Sequence, residues 1–167
     1  MKKFMWMTLL SLPLVAMAVD KSPDQSFYKN AAQGGMAEVQ LGQMAEDKGQ
    51  SAAVKDYGKM MVQDHTAANN KLKSIAAGKG VELPDTLSVS QMATRTKLKA
   101  LSGDSFDNSF IKSMVQDHKD AIKLFQKETQ SGQDSEAKAF AKSTLPTLKA
   151  HLKEIQSIAT TAGVSPD

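Results

Sequence analysis

Residues 54–75 read VKDYGKMMVQDHTAANNKLKSI, and apolar or small side chains recur through this stretch at alternating spacings of four and three residues. A seam that repeats about every 3.5 residues predicts a helix packed nearly parallel or antiparallel against its neighbours. The stretch therefore predicts one helix of a bundle, and it places a polar residue, His65, in the middle of the seam. The recurring positions are Val54, Gly58, Met61, His65, Ala68, Leu72 and Ile75.

Three further stretches have the same rhythm and predict three more long helices. They cover about residues 24–48, a segment from near Asp104 to Ser131, and about residues 134–161. Gly49 and Gly132 end the helices that precede them. The central seam positions are Ala31, Gly34, Glu38, Leu41, Ile111, Met114, His118, Ala121, Leu148, His151 and Ile155.

The connections between these helices predict the topology. Short turns join the first helix to the second and the third to the fourth, so each pair forms an antiparallel hairpin. The connection from Lys79 to Gly103 is long and contains a predicted short helix at residues 90–101. One long crossover between two hairpins predicts an all-α, ferritin-like four-helix bundle with a short extra helix in the crossover. Three side chains of that short helix are available to dock on the bundle: Met92, Leu98 and Leu101.

Two local features add detail to this prediction. Asp104 and Asp107 resemble a capping box at the start of the third long helix. Gly34 and Gly35 lie inside the first helix at a cost of about 1 kcal/mol each relative to Ala. They predict either a close approach of another helix or a bend near Glu38.

Residues 1–18 are predicted to form a signal peptide. Lys2 and Lys3 precede an apolar run, and Ala16-Met17-Ala18 matches an A-x-A cleavage site; an uncleaved anchor is the alternative. Loss of the two lysines lowers the net charge from +3 to +1, and so small a charge gives no reason to expect nucleic-acid binding. No second apolar stretch is long enough to span a membrane. We therefore expect residues 19–167 to form one soluble bundle domain in a bacterial periplasm.

The composition excludes several classes of function. The 167 residues include no Cys, which excludes disulfides, zinc–thiolate sites, iron–sulfur clusters and thiol nucleophiles. The sequence contains no nucleophile elbow, phosphate-binding loop or paired-carboxylate motif. An enzyme is therefore not the first expectation, although dioxygen or peroxide chemistry at a metal stays open. A protein partner is not readable from the sequence, and a homo-oligomer stays open.

The sequence has three histidines, and each lies in the middle of a buried seam on a different helix. They are His65, His118 and His151, and the remaining helix carries Glu38 at the equivalent position. All four positions are near mid-height of their helices, so the side chains should converge at one level of the core. A buried polar cluster is costly unless every member is satisfied. A single metal ion, either zinc, copper or iron, would satisfy it.

Five further residues are candidates for direct or indirect contact with that ion. The pentapeptide MVQDH occurs twice, at 61–65 and 114–118, and places a Met and an Asp at matching positions before each His. Asp64 and Asp117 could orient an imidazole, act as ligands or be surface charges, and Met61 and Met114 could be soft ligands or core filler. Glu154, three residues after His151, could reach the site or face solvent.

A second hypothesis needs no metal. In it the protein is a structural or interaction module, and a closed Glu–His hydrogen-bond network fixes the register of the helices or senses pH.

Several stretches of the chain resemble a family of exported bacterial proteins of unknown function described as "predicted outer membrane protein". They include AAQGGMAEVQLG at 31–42, residues 61–69, residues 114–125 and TLPTL at 144–148. The resemblance implies a ferritin-like fold, and the family description implies outer-membrane association as one alternative. Residues 114–124 are also similar to a Met/His-rich periplasmic family that includes copper binders, which implies copper as one candidate.

The chain departs from the di-iron ferritins, which use Glu-x-x-His motifs on two helices. The residues three positions before the histidines are Val62, Val115 and Leu148. A mononuclear, histidine-rich site is therefore the better expectation.

Overall fold

The computed structural model describes residues 23–165, and within them the protein is all helical. The predicted signal peptide and its cleavage site lie outside the described residues. Four long helices and one short helix follow the predicted order: α1 Pro23–Lys48, α2 Ala52–Gly78, α3 Val89–Lys99, α4 Gly103–Ser131 and α5 Ser135–Thr161.

The four long helices form a bundle in which α1 lies beside α2 and α4, and α5 lies beside α4 and α2. The α1–α2 and α4–α5 pairs are hairpins, and the crossover of residues 79–102 returns the chain along the bundle. This is the predicted ferritin-like connectivity. No helix among residues 23–165 is both long enough and apolar enough to cross a membrane.

Two aspartates, one from each hairpin, hold the hairpins together by bonding the turn of the opposite hairpin. The Asp107 carboxylate of α4 accepts hydrogen bonds from the Gln50 and Ser51 backbone N–H groups, both at 2.8 Å. At the opposite end, Asp24 of α1 accepts hydrogen bonds from the backbone N–H groups of Gln133 and Asp134 at 2.8 and 3.2 Å. Each hairpin therefore caps the turn of the other.

The predicted capping box at Asp104 and Asp107 is wrong. The N-cap of α4 is Ser102, whose side chain makes no capping hydrogen bond, and Asp107 instead reaches across to the α1–α2 turn. A capping box is present instead at the start of α3, where Ser88 and Gln91 satisfy each other's backbone N–H groups.

Glycines allow α1 and α2 to pack closely at Gly42 and Gly58, and also at Gly35, one of the two glycines that the sequence suggested. A Cβ built on Gly58 would lie 2.6 Å from the Gly42 carbonyl oxygen, and one built on Gly42 would lie 2.7 Å from the Gly58 oxygen. Gly35 also faces α2, where the Asn69 side chain occupies the position of the missing Cβ. A Cβ on Gly34 would meet no atom within 4 Å, so close packing does not account for that glycine.

The short helix α3 docks through Leu98, which is 1% exposed, and Leu101 packs partly buried against the core. The Lys48 ammonium donates to the Leu98 and Lys99 carbonyl oxygens at 3.3 and 2.6 Å, which holds the end of α3 against α1. The prediction that Met92 also docks is wrong, because Met92 is 47% exposed. Its side chain lies on the face of α3 that points away from the bundle.

Two apolar clusters fill the bundle above and below its mid-height. The lower cluster includes Leu41, Tyr57, Phe110, Met114 and Ile155. The upper cluster includes Phe27, Leu72, Phe125, Phe140 and Leu148. On every long helix the polar seam residue lies between its contributions to the two clusters. The polar residues are therefore enclosed from both ends by packed apolar side chains.

We expect Asp107→Ala to lower the free energy of unfolding by about 2–3 kcal/mol, because two N–H groups of the α1–α2 turn lose a charged acceptor whose side chain is buried. Asp104→Ala is the matched control: it removes an exposed carboxylate from the first turn of the same helix and should cost less than about 0.5 kcal/mol. Urea unfolding followed by circular dichroism measures both. Equal losses in the two variants would contradict the capping role.

Candidate metal centre

The three histidines converge at the centre of the bundle, from α2, α4 and α5. His65, His118 and His151 are 8%, 0% and 3% exposed. Their ring centroids are 5.4–5.7 Å apart. One ring nitrogen from each lies within 4.8 Å of the others. Three residues far apart in the sequence therefore share one small volume of the core, as their mid-helix positions predicted.

The tautomer of His118 follows from its hydrogen bond. Its Nδ1 lies 2.9 Å from the Met114 carbonyl oxygen, one turn earlier on α4. A carbonyl oxygen only accepts, so Nδ1 carries the proton and Nε2 is left with a lone pair. No hydrogen-bond partner for His118 Nε2 exists among the described residues, although the atom is fully buried.

His151 is oriented by a carboxylate from another helix. Its Nε2 donates to the Asp64 Oδ2 at 2.9 Å, which leaves Nδ1 with a lone pair and no partner in the described part of the chain. A carboxylate that accepts from one imidazole nitrogen is the usual support for a histidine whose other nitrogen binds a metal. The Tyr57 hydroxyl donates to the His151 carbonyl oxygen at 3.3 Å and fixes the height of α5 against α2.

His65 completes the group, and its Nε2 is also buried without a partner among residues 23–165. Burial, together with the neighbouring His118 and His151, lowers the pKa of His65 to about 3. Burial likewise lowers the pKa of His118 to about 4, against an opposing effect of the Met114 carbonyl. Both rings are therefore neutral at pH 7, which is the form that binds metal ions.

Glu38 is brought to the site but does not join the histidine group. Its side chain is buried on α1, and its Oε1 lies 3.7 Å from His118 Nδ1, the protonated side of that ring. Burial raises the pKa of Glu38 well above its usual value, and the nearby Asp117 raises it further. The structure therefore groups three of the four predicted ligands and places Glu38 beside that group, next to His118.

Of the other residues predicted to contact the metal or its ligands, some contact a histidine and some do not. Asp64 contacts an imidazole, although the ring belongs to His151 and not to its sequence neighbour His65. Asp117 makes no hydrogen bond or ion pair to the described residues, and burial raises its pKa to about 6. Glu154 is exposed and lies outside the histidine group. Met61 and Met114 are fully buried in the lower apolar cluster, and the Met114 backbone carbonyl contacts His118.

The unpartnered atoms test whether a metal ion fits. Five buried side-chain polar atoms have no hydrogen-bond partner in the described region, and four of them belong to the predicted site: Glu38 Oε2, His65 Nε2, His118 Nε2 and His151 Nδ1. Each such atom costs about 1–3 kcal/mol when left unpaired. Three nitrogens bound to one ion at about 2.0–2.1 Å lie about 3.3–4.2 Å apart, within reach of small ring rotations from the observed arrangement. The residues present therefore fit a metal held by three imidazoles.

Three supporting contacts were not found from the sequence. Tyr57 lies eight residues before His65 on the same side of α2, a spacing that could have identified it. The pairing of Asp64 with His151 depends on how α2 sits beside α5, and no local pattern encodes that. The Met114 carbonyl is a backbone atom, whose role depends on the rotamer of His118.

The fold and the site define this protein as an all-α bundle with a buried histidine triad. The chain belongs to the family described as a domain of unknown function, DUF4142, whose model matches residues 13–158. This confirms the resemblance to a family without an established activity. A search of curated protein sequences finds no match.

Solved structures show the same fold at low sequence identity. A DUF305 protein from Streptomyces coelicolor, described as secreted, is 13% identical with a TM-score of 0.73, covering 88% of this chain and 98% of that one. A DUF305 fragment from Deinococcus radiodurans is 12% identical with a TM-score of 0.74, covering 83% and 96%. CopM in its Cu(I)-bound form is 16% identical with a TM-score of 0.69, also covering 83% and 96%.

The pH dependence of stability provides a test of the buried, neutral imidazoles. The unfolded chain protonates His65 below its ordinary pKa of 6.5, whereas the folded protein does so only near pH 3. The stabilisation is therefore lost as the pH falls from 6.5. We expect metal-free wild type to lose up to about 1.4 kcal/mol per pH unit relative to His65→Gln between pH 6.5 and 4.

Urea unfolding at several pH values measures this difference. Glu38 and Asp117 have raised pKa values, so their contributions to the free energy of unfolding increase as the pH falls. Because wild type and His65→Gln share both residues, the comparison cancels these contributions. A pH-independent difference between wild type and His65→Gln would contradict the buried neutral ring.

The two MVQDH copies provide a matched pair of variants. Asp64→Asn removes the charged acceptor of His151 and should weaken metal binding by about 10–100-fold. Asp117→Asn changes the equivalent residue of the other copy, which touches no imidazole, and should leave the affinity within about threefold. Competition with a chromogenic chelator measures both affinities. Equal effects would show that Asp64 has no special role.

Proposed function

We propose that the protein binds a single metal ion through His65, His118 and His151 and acts in metal handling or envelope stress protection. The observation that carries the proposal is a group of three buried imidazoles: one nitrogen of each ring lies within 4.8 Å of the others, and each ring has a buried nitrogen without a partner among the described residues. Asp64 and the Met114 carbonyl hold two of the rings in the tautomers that leave a lone pair for the metal.

Copper is the metal that this arrangement favours first. Three uncharged imidazoles suit copper and zinc, and two buried methionines lie one turn before two of the histidines. CopM, which shares the fold, is known in Cu(I)-bound and Ag-bound forms. Zinc would need a further ligand to complete its usual tetrahedral shell, and Glu38 would have to lose its proton and move to supply one. Iron with oxygen ligands suits the site least.

The place of action proposed here is the bacterial periplasm, after export directed by residues 1–18. The apolar run and the A-x-A sequence support export, and one structural neighbour is described as secreted. The outer-membrane association suggested by the family description has no support among these neighbours and is left out of the proposal.

The metal-free alternative requires a Glu–His network that satisfies itself. The contacts His118–Glu38 and His151–Asp64 favour such a network in part. Against it, one polar atom on each of Glu38, His65, His118 and His151 has no partner among the described residues. If the alternative is correct, joint replacement of the four residues by apolar residues of similar volume would be tolerated, and no metal would bind.

We expect the purified mature protein to bind about one copper ion per chain and the His65→Ala, His118→Ala double variant to bind less than about a tenth of that. Elemental analysis after dialysis against Cu(I), Zn(II) or Fe(II) measures the stoichiometry. Glu38→Gln is the matched control: it alters the fourth polar residue of the same layer and should retain metal. Equal and negligible metal in wild type and double variant would reject the proposal.

A further inference from the structure

The bundle interior contains a cavity of about 330 Å³ that extends from the histidine layer into the upper apolar cluster. All four long helices line it. Small residues at seam positions leave part of this space unfilled: Ala31, Gly34, Ala68 and Ala121. A volume of this size is in the range of sites for small organic molecules, which begins near 300 Å³.

One end of the cavity is apolar and aromatic. Leu72, Phe125, Phe140 and Leu148 line this end, and all four belong to the upper cluster. Such walls favour the burial of an apolar molecular body, and the Phe rings favour an aromatic one.

The other end is acidic. Four carboxyl groups line the cavity, from Glu38, Asp64, Asp117 and Asp120, and none of its lining residues in the described structure is Lys or Arg. Carboxyl oxygens accept hydrogen bonds from an ammonium group and carry negative charge when ionised, so this end favours a cation and disfavours an anion.

Two of these carboxyl groups accept no hydrogen bond from any residue within 23–165. Asp64 is paired with His151, and Asp120 with the exposed Lys123. Glu38 is 5% exposed and its Oε2 has no hydrogen-bond partner, although the side chain lines the cavity. Asp117 has neither a hydrogen bond nor an ion pair among the described residues. Glu38 and Asp117 are therefore the groups that a ligand would satisfy.

We propose that this cavity binds a small organic cation, an ammonium group carried on an apolar or aromatic body. The ammonium lies between Glu38 and Asp117, and the body packs against Phe125 and Phe140. The site adjoins the histidine triad, since His65 and His151 also line the cavity, and it does not require a bound metal.

The test uses three probes of equal length in EDTA, so that metal binding plays no part. Phenylbutylamine is cationic, phenylbutanol is neutral and phenylbutyrate is anionic. Isothermal titration calorimetry should show the amine binding at least about tenfold more tightly than the alcohol, with the carboxylate weakest. Three equal affinities would overturn the proposal.

Two pairs of variants locate the binding. Ala68→Leu fills the cavity and should abolish binding of the amine and the alcohol, whereas Ala67→Leu, exposed on the same helix, should change neither. Asp117→Asn should weaken the affinity for the amine about tenfold and leave the affinity for the alcohol unchanged. Asp104→Asn should change neither affinity. If Ala68→Leu does not fold, Gly34→Leu replaces it, because a Cβ at Gly34 meets no atom within 4 Å.

The outcomes separate this inference from the proposed metal site. Amine binding that is lost in Ala68→Leu supports the cavity site even if no metal binds to the histidines. Amine binding that persists in both cavity-filling variants places the amine elsewhere and overturns the inference, whatever the metal measurement shows.

Discussion

The burial of three imidazole rings between two apolar clusters is the constraint on which the rest of the structure depends. Each ring brings two polar nitrogens into the interior of the bundle, and the protein supplies a clear acceptor for one nitrogen of His118 and one of His151. One nitrogen of each of the three rings lies within 4.8 Å of the others. Because unpaired buried polar atoms destabilise a fold, the arrangement is costly as it stands and becomes favourable when a shared ion takes the free lone pairs.

The helices must hold this layer in register, and the observed contacts do so from both ends. Asp107 and Asp24 tie each hairpin to the turn of the other. Gly42 and Gly58 let α1 and α2 pack backbone against backbone, and Tyr57 bonds the α5 backbone at His151 itself. A rigid frame of this kind limits how far the rings can move, so the donor set is largely arranged before any ligand arrives.

The sequence predicts the four long helices within a residue or two and predicts the level at which the histidines meet, because both follow from the 3.5-residue repeat and from helix length. It does not predict contacts that depend on how one helix is rotated against another. Asp64 therefore contacts His151 and not its neighbour His65, Glu38 lies on the protonated side of His118, and Asp107 caps a distant turn. Met92 is exposed because Leu98 is the α3 residue that is buried against the bundle. The family and the similar solved structures support the fold, whereas the proposed metal chemistry rests on these side chains.

X-ray absorption at the copper edge of the Cu(I)-loaded protein tests the central claim most directly, since it reports the atoms bound to the metal. The account predicts about three nitrogen neighbours near 2.0 Å, with the multiple-scattering pattern of imidazole rings. A first shell of oxygen atoms, or one without imidazole scattering, would contradict it.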